Sequence, residues 1–191
     1  VQTVGDRTNS RARLVLIMED GSDGDDYSLF EGVNTVGREG TAVEFDGDVY
    51  LDPYHADLVV EGDLVTVTDQ GSLNGTFIRI TEPALIEHND TFRLGQELLR
   101  YEDLSRMEQP SGEADTDLLG ARPPEGTWGR LVQLMTPEIV GNSFLLSGRF
   151  VTIGRERGDI TFNGDGYVSG RHATLTRRNG SLYLEDLDSS N

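Results

Sequence analysis

The sequence predicts an all-β protein, two β-sandwiches in tandem joined by an acidic linker, and three observations carry that prediction. The two halves of the 191-residue chain align without a gap at one offset. Each half breaks into short apolar runs, with turn residues recurring roughly every ten positions. No segment sustains a long apolar period of 3.6 residues.

The offset is 117 residues, the distance from Gly37 to Gly154. Arg38 and Arg155, Glu39 and Glu156, Phe45 and Phe162, and Gly47 and Gly164 share it. So do Asp48 and Asp165, Tyr50 and Tyr167, His55 and His172, Ala56 and Ala173, Asp69 and Asp186, Ser72 and Ser189, and Asn74 and Asn191. The register reaches back to Arg13-Leu14-Val15 and Arg130-Leu131-Val132. So long a period marks a duplicated domain; solenoid repeats run at about 20–50 residues.

Strands are expected at Leu14–Met18 and Tyr27–Phe30, around an acidic Gly-rich turn. Leu58–Val60 and Leu64–Thr68 read as a hairpin, with Val65 and Val67 on one face. Thr91–Leu94 and Glu97–Tyr101 read as another, around Gly95-Gln96. Residues 105–127 contain three prolines and several acids and glycines, the composition of a flexible linker. The expected organisation is a tail at 1–10, a first sandwich at 11–104, the linker at 105–127 and a second sandwich at 128–191.

Composition excludes much chemistry. The chain has no Cys, so it forms no disulfide and offers no thiolate. All sixteen basic residues are Arg, which removes the Lys of a Walker A motif, a kinase or a Schiff base. His55, His88 and His172 lie in no metal-ligand spacing. Asp20–Asp26 is acidic but lacks the spacing of a calcium loop, and reads as a turn. No metal, cofactor or enzymatic activity is expected. No run approaches the ~18 apolar residues of a membrane span. The start, Val1–Arg7, has neither an initiator Met nor an apolar signal core. The chain is therefore expected to be a fragment of a longer soluble protein, located in the cytoplasm.

The net charge of −18 is uneven. Residues 11–103 hold 6 Arg against 21 acids, whereas residues 128–191 hold 7 of each. The acidic half argues against nucleic acid or an anionic membrane as partner. The neutral half, with its clustered Arg residues, is the candidate anion site.

Its motifs run in order as Ile153-Gly154-Arg155, then Ser169-Gly170-Arg171-His172, then Asp186-Leu187-Asp188-Ser189-Ser190-Asn191. This series resembles the forkhead-associated (FHA) family, whose pattern is Gly-Arg, then Ser-x-x-His, then Ser-x-Asn-Gly-Thr. Each piece alone is weak; three in order, present twice, are specific. The resemblance implies the SMAD/FHA-like sandwich and a phosphothreonine-peptide binding function. By that resemblance Arg155 and Ser169 contact the phosphate, Ser190 sits where a hydroxyl helps, and Asn191 bonds the peptide main chain. Gly154 serves backbone geometry and His172 braces the loop. The physics agrees: a phosphate monoester carries about −1.5 to −2 charge and three acceptor oxygens. Arg155 offers a two-pronged guanidinium, Ser169 a hydroxyl, Gly170 an accessible N–H and Arg171 added charge. The blander alternatives are a surface Arg at 155 and a loop-capping Ser at 169.

The first copy keeps Gly37-Arg38, His55 and Ser72-Leu73-Asn74-Gly75-Thr76. It puts Asp52 in place of the Ser, Pro53 in place of Gly170, Tyr54 in place of Arg171 and Leu73 in place of a hydroxyl. A like-charge contact near 4 Å at an effective dielectric of ~20 opposes binding by about 4 kcal/mol. The first copy is therefore expected not to read phosphothreonine, with Arg38 ion-paired to Asp52. The second copy stops at Asn191, short of the closing strands that follow Asn74 in the first. It is expected either to be unstable alone or to borrow strands from a neighbour.

The expected partner is a phosphothreonine protein of a Ser/Thr kinase pathway. Thr3 and Thr116 are candidate phosphosites for docking within or between chains. The alternatives are a phosphate-independent scaffold using both copies, and the regulatory arm of a larger enzyme.

Overall fold

A computed structural model of the protein describes residues 10–18, 22–106, 123–136 and 139–189. Among these, every regular element is a β-strand except one 3-10 turn, Leu104–Arg106. The chain divides into two compact units, Val1–Thr76 and Phe77–Asn191.

The first unit holds β1 (Ala12–Ile17), β2 (Asp23–Leu29), β3 (Gly32–Gly37), β4 (Val43–Glu44), β5 (Ala56–Glu61) and β6 (Leu64–Asp69). β1 and β2 form an antiparallel pair, so the strand takes in Asp23–Asp26, where the sequence suggests a turn. The other four make a sheet of order β4-β3-β5-β6, with the β5–β6 hairpin where expected. The core is small: Leu29, Val36, Val43, Leu58 and Val60 are buried, with Ala12, Leu14, Tyr27 and Phe45 against them. Tyr27 and Phe45 meet edge to face, with ring centroids 5.1 Å apart.

The second unit begins with strands that the sequence assigns to the first sandwich. β7 (Ala84–Ile86), β8 (Thr91–Leu94) and β9 (Glu97–Asp103) precede β10 (Thr127–Leu134) and β11 (Val140–Ser147). β12 (Phe150–Gly154), β13 (Ile160–Thr161), β14 (Ala173–Arg178) and β15 (Ser181–Asp186) follow. One sheet has the order β11-β10-β9-β8, the other β13-β12-β14-β15-β7. β9 pairs along the outer edge of β10, setting Leu131 opposite Tyr101 and Arg130 opposite Glu102. β7 pairs with β15, setting Leu182 opposite Ile86.

β7 and β9 thus pair with strands of the second repeat in this unit. The second repeat borrows its closing strands, and the lender is the first repeat. The physical reason is edge satisfaction plus burial. The outer edges of β10 and β15 carry rows of N–H and C=O groups that need partners. Phe92, Leu94, Leu99 and Tyr101 of the borrowed strands join Leu131, Leu146, Ile153, Leu175, Leu182 and Leu184 in one core.

Trp128, the sole tryptophan, closes one end of that core. It lies 6.3 Å from the Tyr101 ring and beneath the Arg177 guanidinium. Glu102 is buried between two guanidiniums, at 2.8 Å from Arg100 and 2.6 Å from Arg130. Burial pushes its carboxyl up, but the bonds from both Arg residues outweigh burial and hold it below its ordinary value. Residues 107–122 of the expected linker lie outside the described residues, and β10 already begins at its last residue, Thr127.

The two units should differ in their response to truncation. Leu184→Ala leaves a cavity in a closed core and should cost about 2–5 kcal/mol. Val67→Ala, at the same place in the first repeat but exposed, should cost less than about 1 kcal/mol. Urea unfolding followed by the emission of Trp128, which reports the second unit alone, should show a lower midpoint for the first variant and none for the second.

Candidate functional site

In the second repeat the site is built on the ends of β12 and β14. β12 stops at Gly154 and β14 starts at Ala173, so both ends of the intervening loop are anchored in one antiparallel pair. The Arg155 N–H donates to the Ser169 carbonyl at 2.9 Å, and the Arg157 N–H to the Gly170 carbonyl at 3.0 Å. These bonds bring Arg155, Ser169 and Gly170 side by side. Gly154 is required by the close approach: a Cβ there would collide with the Gly170 carbonyl and lie 2.5 Å from the Arg157 carbonyl.

His172 is buried and braces the loop from beneath. Its Nδ1 accepts the Ser169 N–H at 3.0 Å, its own N–H donates to the Ile153 carbonyl, and its carbonyl accepts the Leu187 N–H at 2.8 Å. One residue thus ties together the loop after β12, the start of β14 and the loop after β15. Arg155 is half-buried, its Nε 3.2 Å from Glu156 Oε1, and Arg171 is exposed. An exposed pair of that kind contributes little and can be exchanged for an incoming anion.

Two carboxylates shape the site although the sequence reading gave them no role. Asp165 is buried; its Oδ1 accepts the Tyr167 N–H at 2.9 Å and its Oδ2 the Gln96 N–H at 2.7 Å. The β8–β9 turn is therefore fastened under the site loop. Gly95 permits this fit: its φ is +59°, and a Cβ there would lie 2.6 Å from Asp165 Oδ2, too close to be accommodated. Asp186 accepts the Ser189 N–H at 3.2 Å and starts the third loop. The signal that finds both is the repeat itself, since Asp48 and Asp69 stand at the same positions in the first copy. Ser190 and Asn191 lie outside the described residues, as do Thr3 and Thr116.

The first repeat folds into the same frame and fills it differently. The Arg38 N–H donates to the Asp52 carbonyl at 3.0 Å, and His55 Nδ1 accepts the Asp52 N–H at 3.2 Å. His55 Nε2 meets the Gly75 carbonyl at 3.3 Å. Asp69 accepts from the Ser72 hydroxyl at 2.6 Å, the Thr76 hydroxyl at 2.8 Å and the Gly71 and Ser72 N–H groups. Those bonds, led by the one from the Ser72 hydroxyl, hold its carboxyl far below its ordinary value. Asn74 donates to the Tyr50 carbonyl at 2.8 Å, joining the second and third loops.

The expected ion pair between Arg38 and Asp52 is not among those of the described residues. Asp52 Oδ2 instead accepts the Leu73 N–H at 2.6 Å. The Asp52 carboxylate thus occupies a backbone N–H on the face where the second repeat presents Ser169.

The FHA domain model matches residues 34–95 and 151–191, more than half of the chain. The chain belongs to the FHA domain family. FHA domains are phosphopeptide-binding modules for protein–protein interaction, not catalysts. The all-β sheets described above fit the FHA sandwich. Comparison with curated proteins finds no match, nor does comparison with solved structures. No helix among the described residues is long and apolar enough to cross a membrane.

The FHA frame of the second repeat carries a pH dependence. Burial pushes the His172 imidazole below its ordinary value of 6.5, opposed by Asp186 and Asp165 and aided by Arg79. The unfolded chain therefore takes up this proton more readily than the folded one. Stability is complete above the unfolded value and falls as the pH drops through about 6.5. Trp128-monitored urea midpoints should decline between pH 7.5 and 5.5, and His172→Gln should flatten that decline. The slope from one group cannot exceed about 1.4 kcal/mol per pH unit.

Proposed function

We propose that the second repeat is the phosphothreonine-peptide reader of this FHA protein, joining it to a target of a Ser/Thr kinase in the cytoplasm. It needs no cofactor. The observation that carries the reading is the contrast at one position of a shared frame. The second repeat offers Ser169 and Gly170 beside Arg155, whereas the first offers the Asp52 carboxylate and Pro53 beside Arg38.

Each group has a role toward a phosphate. Arg155 supplies a planar fork suited to two phosphate oxygens. Ser169 and the Gly170 N–H supply neutral donors, and Arg171 supplies charge at the rim. Ser190 and Asn191 extend the site along the peptide. Gly154 and His172 keep the loop in place without touching the ligand. Three or four charge-assisted hydrogen bonds, less the cost of ordering a peptide, correspond to micromolar affinity, about −8 kcal/mol.

The first repeat opposes an anion twice over, through Asp52 and through its surroundings of 3 Arg against 15 acids in residues 11–76. That observation favours a second, additional reading for it: a phosphate-independent contact surface within an assembly.

Fluorescence anisotropy with a degenerate phosphothreonine peptide pool and its unphosphorylated twin tests the reading. The phosphorylated pool alone should bind at micromolar concentration. Arg155→Ala should weaken binding at least about 10-fold, equivalent to about 1.4 kcal/mol, and Arg38→Ala should leave it unchanged. Equal binding of both pools, or loss with Arg38→Ala, would assign the recognition to the scaffold reading instead.

A further inference from the structure

We propose that the second repeat carries a carboxylate-binding cleft, formed by Arg106, Arg149 and Arg177 over Trp128, and that the acidic stretch of this chain between Arg106 and Pro123 occupies it. The proposal is independent of which repeat reads a phosphopeptide.

The cleft lies at the end of the β12–β14 pair away from the candidate site. The site is built where β12 ends and β14 begins, whereas Arg149 precedes β12 and Arg177 is near the end of β14. Phe150 pairs with Thr176, and the Arg177 N–H donates to the Arg149 carbonyl at 3.0 Å. Continuing that register, the two arginines stand opposite each other. Strand alternation puts both on the face that buries Val151 and Leu175. The Arg177 guanidinium lies over the Trp128 ring, 5.7 Å from its centroid, and Trp128 Nε1 donates to the Gly148 carbonyl at 2.9 Å. Arg106 comes from the 3-10 turn after β9, and its charge and that of Arg177 both act on Asp103.

The cluster is unfavourable by itself. Like charges directly opposite each other destabilise a strand pair. Among the described residues neither Arg149 nor Arg177 is in an ion pair. Asp103 is 3.9 Å from Arg106, and its Oδ1 already accepts the Ser105 N–H and hydroxyl. Three guanidiniums against that carboxylate leave the cleft positive. The frame does not require them: the first repeat has Gly32, Val60 and Arg11 where the second has Arg149, Arg177 and Trp128.

Charge and connectivity name the occupant. Residues 107–122 hold Glu108, Glu113, Asp115 and Asp117 against Arg122, four acids to one base and a net charge of −3. The stretch leaves from Arg106, itself a wall of the cleft, and rejoins at Pro123, five residues before the Trp128 floor. Asp103 pairs with Gly129, so both attachments are at this end of the β9–β10 pair. A segment tethered this closely is held at about millimolar effective concentration. Contacts as weak as exposed ion pairs then suffice to fill the cleft. A nucleic acid or an anionic membrane lacks that advantage and meets a chain of net charge −18.

The chain has no native cysteine, so Ala114→Cys places a single nitroxide label in the middle of the acidic stretch. Its broadening of backbone amide signals is read in the full chain at low salt. The amides of Gly148–Phe150 and Arg177–Asn179 should be broadened. Glu108→Gln, Glu113→Gln, Asp115→Asn and Asp117→Asn together should cut that broadening at least threefold, and so should Arg149→Gln with Arg177→Gln. Salt at about 1 M, where screening acts within about 3 Å, should do the same. Arg178→Gln, on the other face of β14 and 3.5 Å from Glu185, should change nothing. The tether has one length in every variant, so mere proximity predicts no difference among them, and the amide spectrum shows that each is folded. The proposal is overturned if the broadening ignores the four acids or the two arginines. Arginine-dependent shifts of the same amides on adding a nucleic-acid oligomer, with broadening that ignores the acids, would assign the cleft to another polyanion.

Discussion

The pairing of β9 with β10 is the constraint on which the second unit depends. A strand edge in the middle of a sheet cannot be left without partners, because each buried N–H or C=O without one costs about 1–3 kcal/mol. β9 satisfies that edge over the full run from Leu98 to Asp103. The same pairing lays Leu99 and Tyr101 over Leu131 and Leu146, and buries Glu102 between Arg100 and Arg130. From that core β12 and β14 rise to the site, and the β8–β9 turn reaches beneath it through Gln96 and Asp165. The geometry at Arg155 and Ser169 is thus set partly by residues that belong, in sequence, to the other copy.

Most of the fold is legible in the sequence because its signals are local. Alternation in Leu64–Asp69, the turn at Gly95-Gln96 and the gap-free repeat each determine a strand or hairpin from a few neighbours. Strand partnership is not local. Nothing between Ala84 and Asp103 states in sequence that β7 pairs with β15 and β9 with β10. The packing that accompanies the pairing, Trp128 and Gly129 against Tyr101, likewise joins residues distant in sequence. The start of β2 departs from the sequence expectation for a related reason: Asp23–Asp26 has the composition of a turn, but its backbone pairs with Val15 and Ile17 and its side chains face water.

The site was legible to the extent that it is motif. Gly154, Arg155, Ser169 and His172 stand in the motif and are adjacent in the fold, with His172 holding the loop by its Nδ1. Asp165 and Asp186 were visible as identities between the copies but not as braces, because a carboxylate that accepts backbone N–H groups leaves no pattern of its own. The ion pair expected at Asp52 is replaced by a backbone bond. Its carboxylate is directed at the Leu73 N–H and not at Arg38. The first repeat therefore keeps its loops ordered by an internal anion, where the second keeps Ser169 in that place.

The bond between Gln96 and Asp165 has a consequence for how the two copies can diverge. Duplicated modules usually drift apart, each free to be lost, shuffled or retuned. Here a substitution at Gly95, inherited with the first copy, alters the footing of the second copy's recognition loop. Cutting the chain at the linker would part Gln96 from Asp165, whereas a cut between Thr76 and Phe77 keeps them together.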